Sequence, residues 1–193
     1  MKELRSYQNS DNKLKEYGVS IGLDGIPVNI VNIDESKLID YMTVENIASS
    51  LSRLIRYRGD SVFSVAQHSV RMADAFLLMG EPVLAKAALY HDAIEILTGD
   101  ISNIIKNLKG VKEVIKEIEH KLESVLFPAW GLPYPLPQEI KIMDKNCAQD
   151  EMFDLVFGYS YPLRWTEEQS YKAFIEMDRK LKLYLELYYK NEN

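Results

Sequence analysis

The sequence contains a single cysteine, Cys147, among 193 residues. One thiol cannot close an internal disulfide, so the fold must be held by its core, and the chain suits a reducing cytoplasm. Histidine is scarce as well: His68, His91 and His120 are the only three, so any imidazole chemistry is confined to them. No apolar run approaches the ~20 residues needed to span a bilayer. The opening stretch MKELRSYQNSDNKLKEYG lacks the apolar core of a secretory signal. Neither a membrane nor an export route is therefore expected. Positive charge is in deficit, with 23 Lys and Arg against 29 Asp and Glu and a net charge of −6. Proteins that hold nucleic acid as a polymer carry a basic excess or stripe, so a nucleic-acid polymer is not expected as a partner.

What is present reads as one helical domain. A hydrophobic fraction of 47% over this length can bury a core without staples. Residues 1–16 are polar and read as a flexible N-terminus, and 17–193 as a single domain. Two short apolar runs, Tyr17–Ile21 and Ile26–Ile30, flank Asp24-Gly25, a type I′ turn signal. A small N-terminal β-hairpin is allowed there, with Pro27 restricting its strand to an edge.

From Thr43 onward the apolar spacing is helical. Thr43 caps a helix carrying Val44, Ile47, Ala48, Leu51, Leu54 and Ile55. A second helix is expected from Ser64 to Met79, stopped by Gly80, and a third over 82–97. A short helix follows Asp100 and ends at Gly110, and a fifth starts at Val111. The proline-rich stretch Phe127–Pro137 reads as a loop, 138–157 as a sixth helix, and Thr166-Glu167-Glu168-Gln169 as the capping box of the last. The expected fold class is all-α, a single helical bundle with or without the hairpin.

Two of the three histidines sit where they could do chemistry. His91 is followed at once by Asp92 within an apolar helix, Ala87-Ala88-Leu89-Tyr90-His91-Asp92-Ala93-Ile94-Glu95. An aspartate in such surroundings needs a partner, because an unpaired buried charge is costly, and a cation supplies one. His68 lies on the apolar side of the second helix, and Asp144 lies on the sixth, with Glu151 seven residues on. His68, His91, Asp92 and Asp144 together suit a divalent transition ion with open positions for water. On bare statistics a lone helical histidine is more often a satisfied core residue. His120 falls off the apolar stripe of its helix and reads as solvent-exposed.

The order of these motifs resembles the HD-domain phosphohydrolases. The stretch from Tyr90 to Ile101, ending at Lys106, is similar to that family's H-D-x-x-E, then G-D, then lysine. Ser64–Val70 resembles its first metal-histidine segment, Val44–Gly59 its opening helix with an arginine–aromatic pair, and Asp144 with Glu151 its closing D-x6-E. Within the superfamily the chain looks closest to the 5′-deoxynucleotidases and the small phage-type deoxynucleoside triphosphohydrolases. It departs from them at Ser102 and Ile104, where relatives carry prolines.

The resemblance implies a nucleotide as the small-molecule substrate and a homo-oligomer as the assembly. It implies one divalent ion (Mn, Co, Zn, Fe or Ni, with Mg as a further option) on His68, His91, Asp92 and Asp144. Glu95 would orient or deprotonate the attacking water, and Asp100 would help position it. Arg56 and Lys106 would neutralise phosphate, and Tyr57 would pack near the sugar. Binuclear relatives need extra histidines, and only His120 is spare. The readings carried forward are a 5′-deoxynucleotidase, a triphosphohydrolase releasing tripolyphosphate, and a non-catalytic nucleotide sensor. A helical interaction module with an accidental His-Asp pair stands behind them.

Overall fold

The computed structural model describes residues 19–21, 27–29, 34–57, 63–157 and 164–191. The segment read as a flexible N-terminus lies outside these, as does Arg58. Strands β1 (Val19–Ile21) and β2 (Pro27–Asn29) pair antiparallel, with Ile21 opposite Pro27. That register leaves five residues between the strands, an odd number, whereas a two-residue turn continuing the same ladder leaves an even one. The Asp24-Gly25 turn itself lies outside the described residues.

The helices are α1 (Glu35–Tyr41), α2 (Val44–Arg53), α3 (Val65–Leu78), α4 (Pro82–Tyr90) and α5 (Glu95–Thr98), followed by α6 (Asn103–Lys106), α7 (Val111–Ala129), α8 (Gln138–Phe157) and α9 (Glu167–Asn191). Their starts follow from local chemistry. The Thr43 hydroxyl accepts from Asn46 N at 3.2 Å, and the Ser64 hydroxyl accepts from Gln67 N at 3.1 Å, each satisfying an otherwise orphaned amide. Thr166 and Gln169 cap α9 reciprocally at 3.2 and 2.8 Å.

The core is built where α3 packs on α4 and α9 lies across α2, α3 and α4. Leu51, Phe63, Met72, Leu89, Leu122, Phe127 and Phe174 are fully buried there, at roughly 1.5–3 kcal/mol each. The stripe of α9 seals this core through Phe174, Met177 and Leu181 only; its last two turns expose Tyr184, Tyr188 and Tyr189. Among the described residues no helix is long and apolar enough to cross a membrane.

Three expectations need correction. The helix expected over 82–97 is broken: α4 ends at Tyr90, and residues 91–94 form turns before α5. The bonds there run i→i−3, with Ala93 N to Tyr90 O at 3.0 Å and Glu95 N to Asp92 O at 3.0 Å. This tighter winding preserves an apolar spacing close to that of an α-helix, so periodicity alone does not reveal it. The loop expected from Phe127 begins later, because α7 runs to Ala129 with Pro128 inside it. Burial of Leu126 and Phe127 holds that last turn, and Trp130 N still reaches Leu126 O at 3.0 Å. Helix α1 was not expected; Asp34 caps it by accepting from Lys37 N, and it buries only Leu38 and Tyr41, too few apolar positions to form a visible pattern.

Candidate metal centre

Three helices bring the candidate ligands together, since α8 packs against both α3 and α4. His68 comes from the buried middle of α3, His91 and Asp92 from the turn that ends α4, and Asp144 from α8. One ligand atom from each of His68, His91 and Asp92 lies within 4.8 Å of the others. Asp144 Oδ1 is 3.0 Å from His68 Nε2, and the two imidazole centroids are 5.5 Å apart.

The hydrogen bonds settle which ring nitrogens face the cluster. His91 Nδ1 is 2.8 Å from the carbonyl of Ala88, which can only accept, so Nδ1 carries the proton. Its buried Nε2 makes no hydrogen bond, although Asp92 Oδ2 lies 3.1 Å away. His68 differs, because both its nitrogens face a carboxylate: Nδ1 is 2.9 Å from Glu151 Oε1 and Nε2, on the cluster side, is 3.0 Å from Asp144 Oδ1.

Burial is the largest influence on His91 and would lower its pKa, but the neighbouring Asp92, the charge of Asp144 and the Ala88 carbonyl together outweigh it, and the net shift is upward. Burial would raise Asp92 and Asp144, yet both are held below the ordinary carboxylate range. For Asp92 the first opposing cause is the charge of His91, and for Asp144 it is the bond from His68. The site thus attracts positive charge and contains an orphaned imidazole nitrogen beside carboxylates. Those are the donors a divalent transition ion takes, so the residues present fit the metal.

Next to this cluster lies a cavity of about 670 Å³ that Arg56, Tyr57, Glu95, Asp100 and Lys106 line together with Asp92 and Asp144. All five residues proposed for catalysis or substrate contact therefore meet the candidate ligands. Arg56 is held by an antiparallel bridge between Ile55 and Ser64, with Arg56 N bonded to Phe63 O at 2.9 Å. Its guanidinium lies 3.6 Å from Asp92 and 3.0 Å from Glu151. Tyr57 adopts φ +57°, a left-handed conformation uncommon for a bulky residue and often found at functional sites.

Lys106 is not the solvated lysine that bare odds favour. It is half-buried, 3.1 Å from Glu119 and 4.0 Å from Glu95. Glu95 is buried with Oε2 unbonded. Burial first, and then the charges of Asp92 and Asp100, push its carboxyl up to about 10.

With this geometry in place, the comparison with known families is specific. Residues 78–156 match the family model of YfbR-like 5′-deoxynucleotidases. The resemblance to the HD-domain phosphohydrolases is thereby shown. The match covers less than half of the chain. It includes His91, Asp92, Glu95, Asp100, Lys106 and Asp144, while His68, Arg56 and Tyr57 precede it. No curated protein matches the sequence.

Two features of this site were not legible beforehand. His120 is exposed as expected, but it does not face away from the centre. It lines a second cavity of about 410 Å³ that also reaches His91, Asp92 and Asp144, and it pairs there with the Tyr134 hydroxyl. The residues Pro133–Pro137 carry Tyr134 back over α7, a fold-back that helical periodicity does not encode. The second feature is Glu151. Its spacing from Asp144 had been noted, but nothing in the sequence gave it a role. It is about 1% exposed, and Arg71, three residues after His68 on the same helix, sits 3.9 Å from it.

Proposed function

We propose that the chain is a metal-dependent 5′-deoxynucleotidase, hydrolysing the phosphate ester of 2′-deoxynucleoside monophosphates. The observation that carries this reading is the meeting, in one cavity, of Arg56, Lys106 and buried Glu95 with Asp92 and Asp144, of which Asp92 belongs to the cluster it forms with His68 and His91. When bound, a divalent ion polarises a phosphoryl oxygen and brings the pKa of a coordinated water toward ~7. His68, His91, Asp92 and Asp144 would hold it.

The chain's own residues do the rest. Arg56 and Lys106 stand beside Asp92 and Glu95, and each exchanges part of that pairing for phosphate oxygens, neutralising charge that shifts in the transition state. Glu95 orients the attacking water and takes its proton. Glu95, whose carboxyl is raised in part by the charge of Asp92, would return toward the working range once that charge is balanced. Asp100 shares in placing the water. Tyr57 packs against the sugar, where its ring leaves little room for a 2′-hydroxyl.

A second reading, hydrolysis of a deoxynucleoside triphosphate to tripolyphosphate, is favoured by Lys116 and Lys141 in the His120 cavity, which could take further phosphates. Glu119 and Glu123 in the same wall oppose it, so the monophosphate remains the proposal. The exposed apolar side chains of α9, among them Leu183, Tyr184 and Leu187, offer a surface for the homo-oligomer that the resemblance implies.

The test is a panel of deoxy- and ribonucleoside mono- and triphosphates given to the Mn²⁺-loaded full chain, with product analysis. The expected result is inorganic phosphate from deoxynucleoside monophosphates, faster than from the ribonucleotides. Tripolyphosphate released in one step would establish the second reading. Nucleotide binding without turnover would make the protein a sensor.

A further inference from the structure

Glu151 stands one turn beyond Ala148 on α8 and is almost wholly withdrawn from solvent, yet three of the groups closest to its carboxylate are candidate site residues. Oε1 lies 2.9 Å from His68 Nδ1. Oε2 lies 3.0 Å from Arg56 Nε and accepts from the Tyr57 hydroxyl at 3.0 Å. Arg71 adds a second guanidinium, 3.9 Å from Oε1. One oxygen thus faces a candidate metal ligand and the other the candidate substrate residues.

We propose that Glu151 is a positioning residue that couples the two halves of the site, fixing with one carboxylate both the metal-facing nitrogen of His68 and the guanidinium of Arg56. The inference rests on the metal-dependent phosphohydrolase reading given above. Both nitrogens of His68 face a carboxylate, and a carboxylate can only accept; with a cation drawing on the Nε2 lone pair beside Asp144, Oε1 would hold the proton on Nδ1. The Ala88 carbonyl does the same for His91. The two ligands are set by different acceptors, however, and only that of His68 is also tied to the substrate side. Arg56 spans Glu151 and Asp92 at 3.0 and 3.6 Å, and Tyr57 is anchored a second time on Ala148 O at 3.2 Å. An ordinary core ion pair would need one cation beside Glu151. Four groups from two segments, Arg56–Tyr57 and α3, three of them candidate site residues, are more than neutralising one charge requires.

The experiment uses the full chain and two probes that do not depend on turnover. Mn²⁺ affinity is measured by calorimetry on chelated protein, and inorganic phosphate affinity on the Mn²⁺-loaded form. Glu151→Gln should weaken Mn²⁺ binding ~10–100-fold, the usual effect of losing such an outer partner of a metal-bound histidine. Phosphate binding should weaken at least ~10-fold, as for a misplaced charged hydrogen-bond donor. In an Arg56→Gln background the same substitution should leave phosphate affinity unchanged while still costing Mn²⁺ affinity. A well-folded Glu151→Gln protein that keeps either affinity within about twofold of wild type overturns the coupling.

If that variant does not fold, ¹⁵N shifts of His68 in the wild-type Zn²⁺ form decide. Protonation on Nδ1 is expected, and protonation on Nε2 overturns the proposal. Should the wild type hydrolyse no nucleotide, the functional reading fails, while the Mn²⁺ and phosphate measurements still judge Glu151.

Discussion

Replacing Glu95 by glutamine should move stability and turnover in opposite directions. The amide keeps the shape of the side chain and removes its charge. Glu95 is 8% exposed, its Oε2 has no hydrogen-bond partner, and burial with the charges of Asp92 and Asp100 lifts its carboxyl from 4.5 to about 10. The folded chain therefore keeps a proton that the unfolded chain releases above its ordinary pKa. Where the unfolded state binds fewer protons, stability falls as pH rises, so the cost opens near pH 4.5 and grows toward pH 10. At ~1.4 kcal/mol per pH unit, it is on the order of 3 kcal/mol at neutral pH in metal-free protein. Glutamine does not titrate. Urea denaturation of chelated wild type and Glu95→Gln should therefore diverge between about pH 5 and 8, with the variant gaining stability as pH rises. In the metal-loaded enzyme, turnover should drop ~10²–10⁴-fold while substrate affinity holds. Parallel pH–stability curves would refute the buried-charge reasoning. Near-normal turnover would transfer the water-orienting role to Asp100.

His91→Ala should leave the protein with little bound transition metal and no activity, as measured by elemental analysis of the purified chain; full occupancy would remove His91 from the ligand set. Tyr57→Ala should bring deoxy- and ribonucleotide kcat/KM values closer together, and an unchanged ratio would place the 2′-position elsewhere. Tyr90→Phe removes a buried hydroxyl that donates to Asp178 at 2.7 Å, which should cost ~1.5–3 kcal/mol in urea unfolding. A negligible change would mean that Lys182, 2.7 Å from the same aspartate, satisfies it alone.

The sequence was most legible where the chemistry is local. The caps at Thr43 and Thr166 are read from a side chain and an amide three residues on, and each is observed. His68 on a buried face and Asp92 beside apolar neighbours signalled a cation because burial makes an unpaired charge expensive. Periodicity failed where two windings share nearly the same spacing, at residues 91–94, and where burial kept Pro128 in a helix. It could not reach features made by distant segments meeting. Tyr134 swings back to His120. Glu151 gathers groups from residues 56, 57, 68 and 71, and although its D-x6-E spacing from Asp144 was visible, these partners were not.

The break after Tyr90 links that misreading to the chemistry. Adjacent residues of a continuing α-helix point about 100° apart, so His91 and Asp92 would share one ion only at the rim of a face. The last carbonyls of a helix also have no partner within it. Because α4 stops at Tyr90, the carbonyl of Ala88 falls in that last turn and accepts from His91 Nδ1. The helix end thus gains an acceptor's partner, and the imidazole gains the tautomer that turns Nε2 into a ligand. The i→i−3 turns that follow then bring Asp92 Oδ2 to 3.1 Å from that nitrogen and leave Glu95 buried at the start of α5. A helix running unbroken through residue 97 would conserve every apolar contact the periodicity suggests, yet would lose this arrangement. The break is therefore what turns a buried His-Asp pair into a candidate metal site.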